Sequence, residues 1–399
     1  MASDNTLLTP TIIAKEALMQ LTNNLAMARH VHTAYKNEFV KVGQTITVRK
    51  PNKFRAKKAQ TRDNTDLSEP STSITMSTQA HVSWAFSSVD LTTTIEDYSK
   101  RYISPAANAL ANIVDADLCG LYDDVYNSAG TPGITPATFA VLGDAQRILD
   151  DEAVPSDTRV GILNPAANWS LADGLKGTFA QQVAKDIMTK GFLGRIANLD
   201  LFSDQNVVRH TTGAFSGGTP LVTTTIDATA TEIVTKGWDG DSDTIKVGDV
   251  FTIADVYAVN PMSGSSTGVL RRFTVTEDAT SSGGAITIKL SPSIVYGATD
   301  PYTTVSAYPL EDAALTFIGT ESTAYPQNLV FHPNAFALVT VPIEMPANVW
   351  GARETDQDAG LSIRVVKQYD IDADEEIIRL DILYGVKTLY PELACRLWG

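Results

Sequence analysis

Two stretches of the chain carry apolar residues at the spacing of an amphipathic helix. The first covers residues 11–35, with Thr9-Pro10 as its start signal. Its apolar face comprises Ile12, Ile13, Ala17, Leu18, Leu21, Leu25 and Met27. The second begins at Ser104-Pro105, where a hydroxyl cap precedes proline at the first helical position, and its stripe continues to Val125. We predict that this second helix ends near Asn127 and is the longest in the chain.

Helical and strand patterns then alternate. Between residues 136 and 213 the spacing predicts helices over 138–150, 168–175 and 177–189, and strands over 159–163 and 199–202. The same mixture returns near the C-terminus, over 329–341, 361–369 and 377–389. Alternation of this kind indicates the α+β or the α/β class.

A composition shift near Phe215 separates these two mixed regions. From there to about Phe317 the chain is rich in Thr, Gly, Asp and Val, and it shows no helical period. Short strands are predicted over 244–247, 250–253, 269–276 and 285–290. We interpret the segment 219–317 as an all-β barrel or sandwich domain inserted into an α+β host.

Charge is distributed unevenly along the 399 residues, whose net value is −15. Residues 41–62 contain eight basic residues and no acidic one. Period-two patterns follow over 73–76 and 81–86, so residues 41–93 are predicted to form an extended two-stranded loop with a basic tip. An isolated ribbon is marginally stable in water, so we expect this loop to need a partner surface.

Three roles remain open for the basic residues: a solvated loop, contacts with nucleic-acid phosphates, or docking onto an acidic surface of a neighbouring copy. The acidic balance of the rest of the chain disfavours a dedicated nucleic-acid reader and favours self-association by charge complementarity. The candidate intersubunit docking residues are Arg49, Lys50, Lys53, Arg55, Lys57, Lys58 and Arg62.

Catalytic and metal-binding patterns are incomplete. Gly264–Gly268 matches a nucleophile elbow in spacing, but a strand pattern follows it where the elbow requires a helix. Asp239, Asp241 and Asp243 begin like a calcium loop, yet the required glycine is absent. His30 and His32 lie two residues apart without further ligands. We therefore expect no enzyme activity, no cofactor and no metal.

Neither cysteines nor hydropathy suggest an exported or membrane protein. Cys119 and Cys395 lie in apolar runs and are expected to be small buried residues rather than a disulfide. No apolar run reaches the roughly 18 residues that would span a bilayer, so no membrane partner is expected.

This organisation resembles the major capsid proteins of tailed double-stranded DNA bacteriophages, in particular the coat proteins of short-tailed phages with an inserted β-domain. The residues that carry the resemblance run along almost the whole chain. They include Gly161-Ile162-Leu163-Asn164-Pro165, Gly191-Phe192-Leu193-Gly194-Arg195-Ile196, Val247-Gly248-Asp249-Val250-Phe251-Thr252-Ile253, Val341-Pro342-Ile343-Glu344-Met345-Pro346 and Tyr390-Pro391-Glu392-Leu393-Ala394.

The resemblance implies the tailed-phage capsid fold, which encapsulins share. Its expected parts are an N-terminal arm (1–40), the extended loop (41–93), a spine helix with peripheral domain (94–135), a first axial part (136–218), the inserted β-domain (219–317) and a second axial and peripheral part (318–399). It further implies pentamers and hexamers in an icosahedral virion shell assembled in the bacterial cytoplasm. The implied partners are a scaffolding protein, a portal protein, packaged double-stranded DNA and possible decoration proteins.

Three other classes remain as alternatives. An encapsulin-like shell subunit would hold a protein cargo, and the predicted insertion counts against it. A carbohydrate-binding or hydrolytic protein would need paired carboxylates at a cleft. A tail or baseplate protein would form rods or rings instead of closed shells.

Overall fold

The computed structural model describes residues 10–33, 45–56, 58, 60, 69–87, 99–175, 194–215, 218–297, 300–347, 349–356 and 360–399. The chain divides into two compact units. Unit 1 comprises Met1–Val48, Ser71–Leu118 and Phe336–Lys387, and unit 2 comprises Arg49–Pro70, Cys119–Ala335 and Thr388–Gly399.

Within the described residues the α-helices are α1 (Pro10–Asn24), α2 (Ser104–Gly120), α3 (Phe139–Asp151) and α4 (Pro165–Leu175). The first half of the strands comprises β1 (Thr45–Arg49), β2 (Ser71–Thr75), β3 (Thr78–Ser87), β4 (Ser128–Ala129), β5 (Val160–Leu163), β6 (Arg195–Ile196), β7 (Leu199–Ser203), β8 (Arg209–Thr211), β9 (Leu221–Val222), β10 (Ala230–Lys236) and β11 (Thr244–Ile245). The second half comprises β12 (Val250–Val259), β13 (Ser266–Val275), β14 (Ala279–Thr280), β15 (Ala285–Ile294), β16 (Leu315–Phe317), β17 (Ala324–Pro326), β18 (Asn328–Phe331), β19 (Phe336–Thr340), β20 (Trp350–Thr355), β21 (Ser362–Asp370), β22 (Glu375–Thr388) and β23 (Ala394–Leu397).

Helix α1 is shorter than the prediction over 11–35. Side chains take up the carbonyl groups that the end of a helix leaves without partners. The Thr22 hydroxyl donates to the Leu18 carbonyl at 2.8 Å, and Arg29 Nε donates to the Thr22 carbonyl at 2.7 Å. A short 3₁₀ turn, Ala28–His30, follows. The apolar pattern continues through Leu25 and Met27 because both remain buried in this irregular segment.

Helix α2 begins at Ser104, as predicted, and is the longest α-helix among the described residues. In unit 1, a sheet of five strands has β22 between β21 and β3. The sheet corrects one prediction, because residues 81–86 do not belong to the basic ribbon. Strand β3 instead pairs antiparallel with β22 from Ser87 to Thr78. Among the residues that the structure describes, the two-stranded ribbon consists of β1 and β2.

The mixed part of unit 2 is built on a six-stranded sheet in the order β4-β23-β18-β5-β7-β6. Its β5 and β7 are parallel, and β18 lies antiparallel to both β5 and β23. Helices α3 and α4 bury their apolar faces against it, through Leu142, Leu149 and Leu171. The helix predicted over 177–189 lies outside the described residues.

The strands between β8 and β17 form a barrel. Six strands follow the order β16-β12-β13-β15-β10-β9, and the two end strands meet. The Leu315 amide donates to the Pro220 carbonyl at 2.9 Å, and the Val222 amide donates to the Ala313 carbonyl at 3.0 Å. The sheet therefore closes on itself, and its interior is filled by Trp238, Phe251, Ile253, Phe273, Ile288 and Val305.

Candidate assembly surface on the basic loop

The basic loop starts at the far end of the β1–β2 ribbon. Arg49 forms an exposed ion pair with Glu69 at 3.1 Å, and the Lys50 amide donates to the Pro70 carbonyl at 2.8 Å. Residues 50–55, here called the basic strap, then continue without regular secondary structure. These contacts hold the two sides of the loop together where the strap begins.

Two lysines of the strap contact the turn that precedes β23. The Lys50 ammonium lies 4.9 Å from the centroid of the Tyr390 ring, within the range of a cation–π interaction. Lys53 Nζ lies 3.5 Å from Glu392 Oε1. Tyr390 and Glu392 belong to or flank the 3₁₀ turn Pro391–Leu393, so one short turn supplies both an aromatic face and a carboxylate.

The remaining strap contacts are with two loops of the barrel. The Tyr302 hydroxyl accepts from the Lys53 amide at 3.3 Å and donates to Asn52 Oδ1 at 3.4 Å. The Arg55 guanidinium lies against Gly264, in the turn between β12 and β13. A Cβ atom at residue 264 would lie 2.6 Å from Arg55 Nη1. We call Gly264, Tyr302, Tyr390 and Glu392 the strap seat.

A charged cleft lies beneath the strap. Lys53, Tyr302 and Glu392 line it together with the buried pair Glu152 and Arg271. The side chains of Arg271 and Glu152 are 4% and 8% exposed and form an ion pair. The Arg271 guanidinium also lies 4.5 Å from the Tyr126 ring centroid.

Burial is the main cause of the pKa shifts of Glu152 and Tyr126 in this cleft. Burial raises the pKa of Glu152, although the charge of Arg271 opposes that shift. Burial likewise raises the pKa of Tyr126, which therefore stays neutral. The strap thus lies over a cleft in which Lys53 is paired with Glu392 and Arg271 is paired with Glu152.

The structure brings three of the predicted docking residues together and places two others elsewhere. Lys50, Lys53 and Arg55 lie on the strap seat, and Arg49 pairs across the ribbon. Lys58 is exposed, as is 66% of Phe54. Lys57 and Arg62 lie outside the described residues. The intersubunit role of all seven residues, Arg49, Lys50, Lys53, Arg55, Lys57, Lys58 and Arg62, stays a prediction.

Sequence reasoning missed the buried polar groups that join the barrel to its host. Arg396 is 1% exposed, and it donates to the carbonyls of Val125 at 2.8 Å and Gly248 at 2.6 Å. Beside it, His210 lies between the Tyr122 hydroxyl, at 3.1 Å from Nδ1, and Asp249 Oδ1, at 2.8 Å from Nε2. No local signal marks these residues, because each partner is remote in sequence.

The incomplete motifs have structural roles where the chain is described. Strand β13 begins at Ser266, inside the glycine-serine motif, so the segment is a hairpin turn. Asp243 accepts from the Asp239 amide at 2.7 Å, and Asp241 accepts from the Gly283 amide at 2.7 Å. Both cysteines are buried thiols. None of the described helices has the length and apolar character to cross a bilayer.

Comparison with known proteins shows which family this chain resembles. The chain matches the model of the P22 coat protein, gene protein 5, over residues 1–399. A curated relative, the major capsid protein of Acyrthosiphon pisum secondary endosymbiont phage 1, is 22% identical over 380 residues, which is 90% of this chain and 89% of the relative.

Solved structures of phage proteins are among the similar chains. A chain from Mycobacterium phage Che8 has a TM-score of 0.50 at 13% identity, covering 93% of this chain and 90% of that chain. The capsid of Ralstonia phage GP4 has a TM-score of 0.44 at 10% identity, covering 94% and 90%. The fold is that of bacteriophage major capsid proteins. The chain belongs to the P22 coat protein family, whose members are structural capsid proteins of the virion rather than enzymes.

Proposed function

We propose that the chain self-assembles into pentamers and hexamers of an icosahedral phage head that encloses double-stranded DNA. The observation that carries this proposal is the family match over residues 1–399. A scaffolding protein would direct assembly in the bacterial cytoplasm, and a portal protein would admit the DNA. The net charge of −15 suits loose enclosure of DNA without sequence recognition, because a basic binding face is not required.

The regions proposed for these roles are those predicted from the sequence. Residues 1–40 would serve as the N-terminal arm and 94–135 as the spine and peripheral domain. Residues 41–93 would serve as the extended loop, except for β3, which pairs with β22 in the sheet of unit 1. Residues 136–218 and 318–399 would form the axial and peripheral host, with 219–317 inserted. The pairing of β8 with β17 supports this plan, since these strands flank the barrel on both sides.

The basic loop is proposed to dock onto an acidic surface of a neighbouring copy. The hairpin that joins β21 to β22 has suitable chemistry. Ile371 at its turn is 80% exposed and Tyr369 is 52% exposed. Its acidic residues are Asp370, Asp372, Asp374, Glu375 and Glu376. An apolar centre within an acidic rim complements the exposed side chains of Phe54 and Lys58, and such complementarity fixes partner choice.

Electron microscopy tests the shell assembly directly. The purified chain, with and without its scaffolding partner, is expected to form closed polyhedral shells, polyheads or spirals in negative stain. Salt screens both the repulsion between acidic copies and the attraction between the basic loop and an acidic surface, so assembly is tested over a range of salt concentrations. Uniform small particles at every salt concentration would contradict the shell proposal and favour a soluble binding protein or enzyme.

Charge reversal tests the loop. We expect the combined change of Lys50, Lys53, Lys57 and Lys58 to Glu to block shell closure while the circular dichroism of the subunit stays unchanged. The smaller change of Lys58→Glu alone leaves the strap seat intact and should weaken closure in the same direction. Normal shells from the quadruple variant would refute the docking role.

A further inference from the structure

The basic strap contacts three separate elements of unit 2. Tyr302 lies in the long loop between β15 and β16, Gly264 lies in the β12–β13 turn, and Glu392 lies in the turn before β23. Two of these three elements belong to the barrel. The loop's own charges therefore find a complementary surface on the same chain.

We propose that the barrel is a positioning device for assembly: the strap seat holds residues 50–55 on their own subunit, before and after shell formation. The chain that follows the strap, including exposed Lys58, would then start from a fixed point and reach the neighbouring copy. This inference rests on the proposed shell function, and it assigns the barrel and Glu392 a role in loop placement.

Loop entropy explains why such a seat would matter. The described strap has no regular secondary structure, and it is restrained by the seat and by the hydrogen bond from the Lys50 amide to the Pro70 carbonyl. A loop that is fixed in its binding conformation loses less conformational freedom on docking, and the contact becomes correspondingly tighter. Many copies close the shell together, so a small gain at each loop is multiplied over the assembly.

Arg55 packs closely against the barrel. Its Nε and Nη2 atoms are shielded from solvent, and no hydrogen-bond partner is found for them among the described residues. The guanidinium lies against Gly264, where a Cβ atom would be 2.6 Å from Nη1, so the absence of a side chain at residue 264 makes room for it. The strap and its seat belong to the same compact unit of the chain.

Zero-length crosslinking with a carbodiimide tests which chain occupies the seat. The reagent joins an amine to a carboxylate in direct contact, and Lys53 Nζ lies 3.5 Å from Glu392 Oε1. Isotopically light and heavy subunits are mixed, assembled, crosslinked, digested and analysed by mass spectrometry. We expect Lys53–Glu392 products that join peptides of the same label only, both in free subunits and in shells.

Two results would overturn the inference. Mixed-label products in shells would show that neighbours exchange straps, and loss of the product on assembly would show that the strap leaves its seat. Failure of the wild-type chain to form shells would instead count against the proposed function, while same-label products in the free subunit would still support the seat. Lys58→Glu should keep the product and impair closure.

A pair of glycine variants tests the consequence for assembly. Gly264 and Gly268 lie in the same hairpin with φ of +71° and +74°, but only residue 264 faces Arg55; nothing lies within 4 Å of a Cβ at residue 268. Backbone strain is therefore matched between Gly264→Ala and Gly268→Ala. We expect the former to raise the subunit concentration needed for closure by about tenfold relative to the latter. Equal thresholds would refute the positioning role.

Charge exchange provides a rescue. Lys53→Glu and Glu392→Lys should each raise the closure threshold, and the double variant should return it towards the wild-type value. A role confined to fold stability would move the unfolding midpoint and the closure threshold together, so both are measured for each variant. A threshold that changes while the midpoint stays at the wild-type value supports the seat, and an unrecovered double variant with a wild-type midpoint would count against it.

Discussion

The buried ion pair between Arg271 and Glu152 gives the sharpest stability prediction. Arg271 lies on β13 of the barrel, and Glu152 directly follows α3 of the host. Their side chains are 4% and 8% exposed. Changing Glu152→Met leaves the buried guanidinium beside the Tyr126 ring without its ion-pair partner, and an uncompensated buried charge costs about 3–5 kcal/mol.

Removing both charges should cost far less. In the double variant Arg271→Met, Glu152→Met, two apolar side chains fill a similar volume, and such replacements are often neutral or even stabilising. The expected coupling energy is therefore at least about 2–3 kcal/mol, which a double-mutant cycle measures directly.

Urea unfolding of the free subunit, followed by tryptophan fluorescence and circular dichroism, is the assay. With a slope of about 2–3 kcal/mol per molar urea, the single variant Glu152→Met should lower the midpoint by roughly 1–2 M. The exposed pair Lys289 and Glu277 on the same barrel serves as control, and its removal should barely move the midpoint. A single variant as stable as the double variant would refute the reasoning.

Two further predictions concern the host. Gly174→Ala would place a Cβ atom 1.8 Å from the Ala137 carbonyl oxygen and should lower the free energy of unfolding by about 1–3 kcal/mol or more. Gly143→Ala, with nothing within 4 Å of the new Cβ atom, should raise it by about 0.5–1 kcal/mol. Equal midpoints of the two variants in urea would contradict this. His332 has a pKa lowered by burial from 6.5, and its Nδ1 accepts from the Asn334 amide at 3.3 Å. The folded state therefore takes up this proton less readily than the unfolded state, so stability should fall as pH drops below about 6.5, and His332→Gln should flatten that slope in urea titrations.

Local patterns predicted the elements whose signals are local. The start of α2 followed from Ser104-Pro105, and strands β12, β13 and β15 followed from their alternation, although each is longer than predicted. Strand β3 shows the limit of this reasoning. Its alternating pattern suits a ribbon as well as a sheet, and the choice of β22 as partner depends on a contact between residues some three hundred positions apart.

The basic strap could be predicted from the sequence, but the residues of its seat could not, for the same reason. A run of basic residues without acidic ones is visible in the sequence, and it identified the strap. Its seat was not predicted, because Tyr302 and Glu392 are ordinary residues of loops that only folding brings together. Arg271 is similar. It lies beside Arg272 in a strand, and its carboxylate partner is 119 positions away.

The barrel's closure has a further consequence. Its first and last strands are hydrogen-bonded neighbours, and the flanking strands β8 and β17 pair with each other. The chain therefore leaves the host and returns to it at almost one point. A module attached in this way can lengthen its hairpins, or be exchanged whole between related coat proteins, without stretching the scaffold that carries it, because the gap to be bridged stays the same.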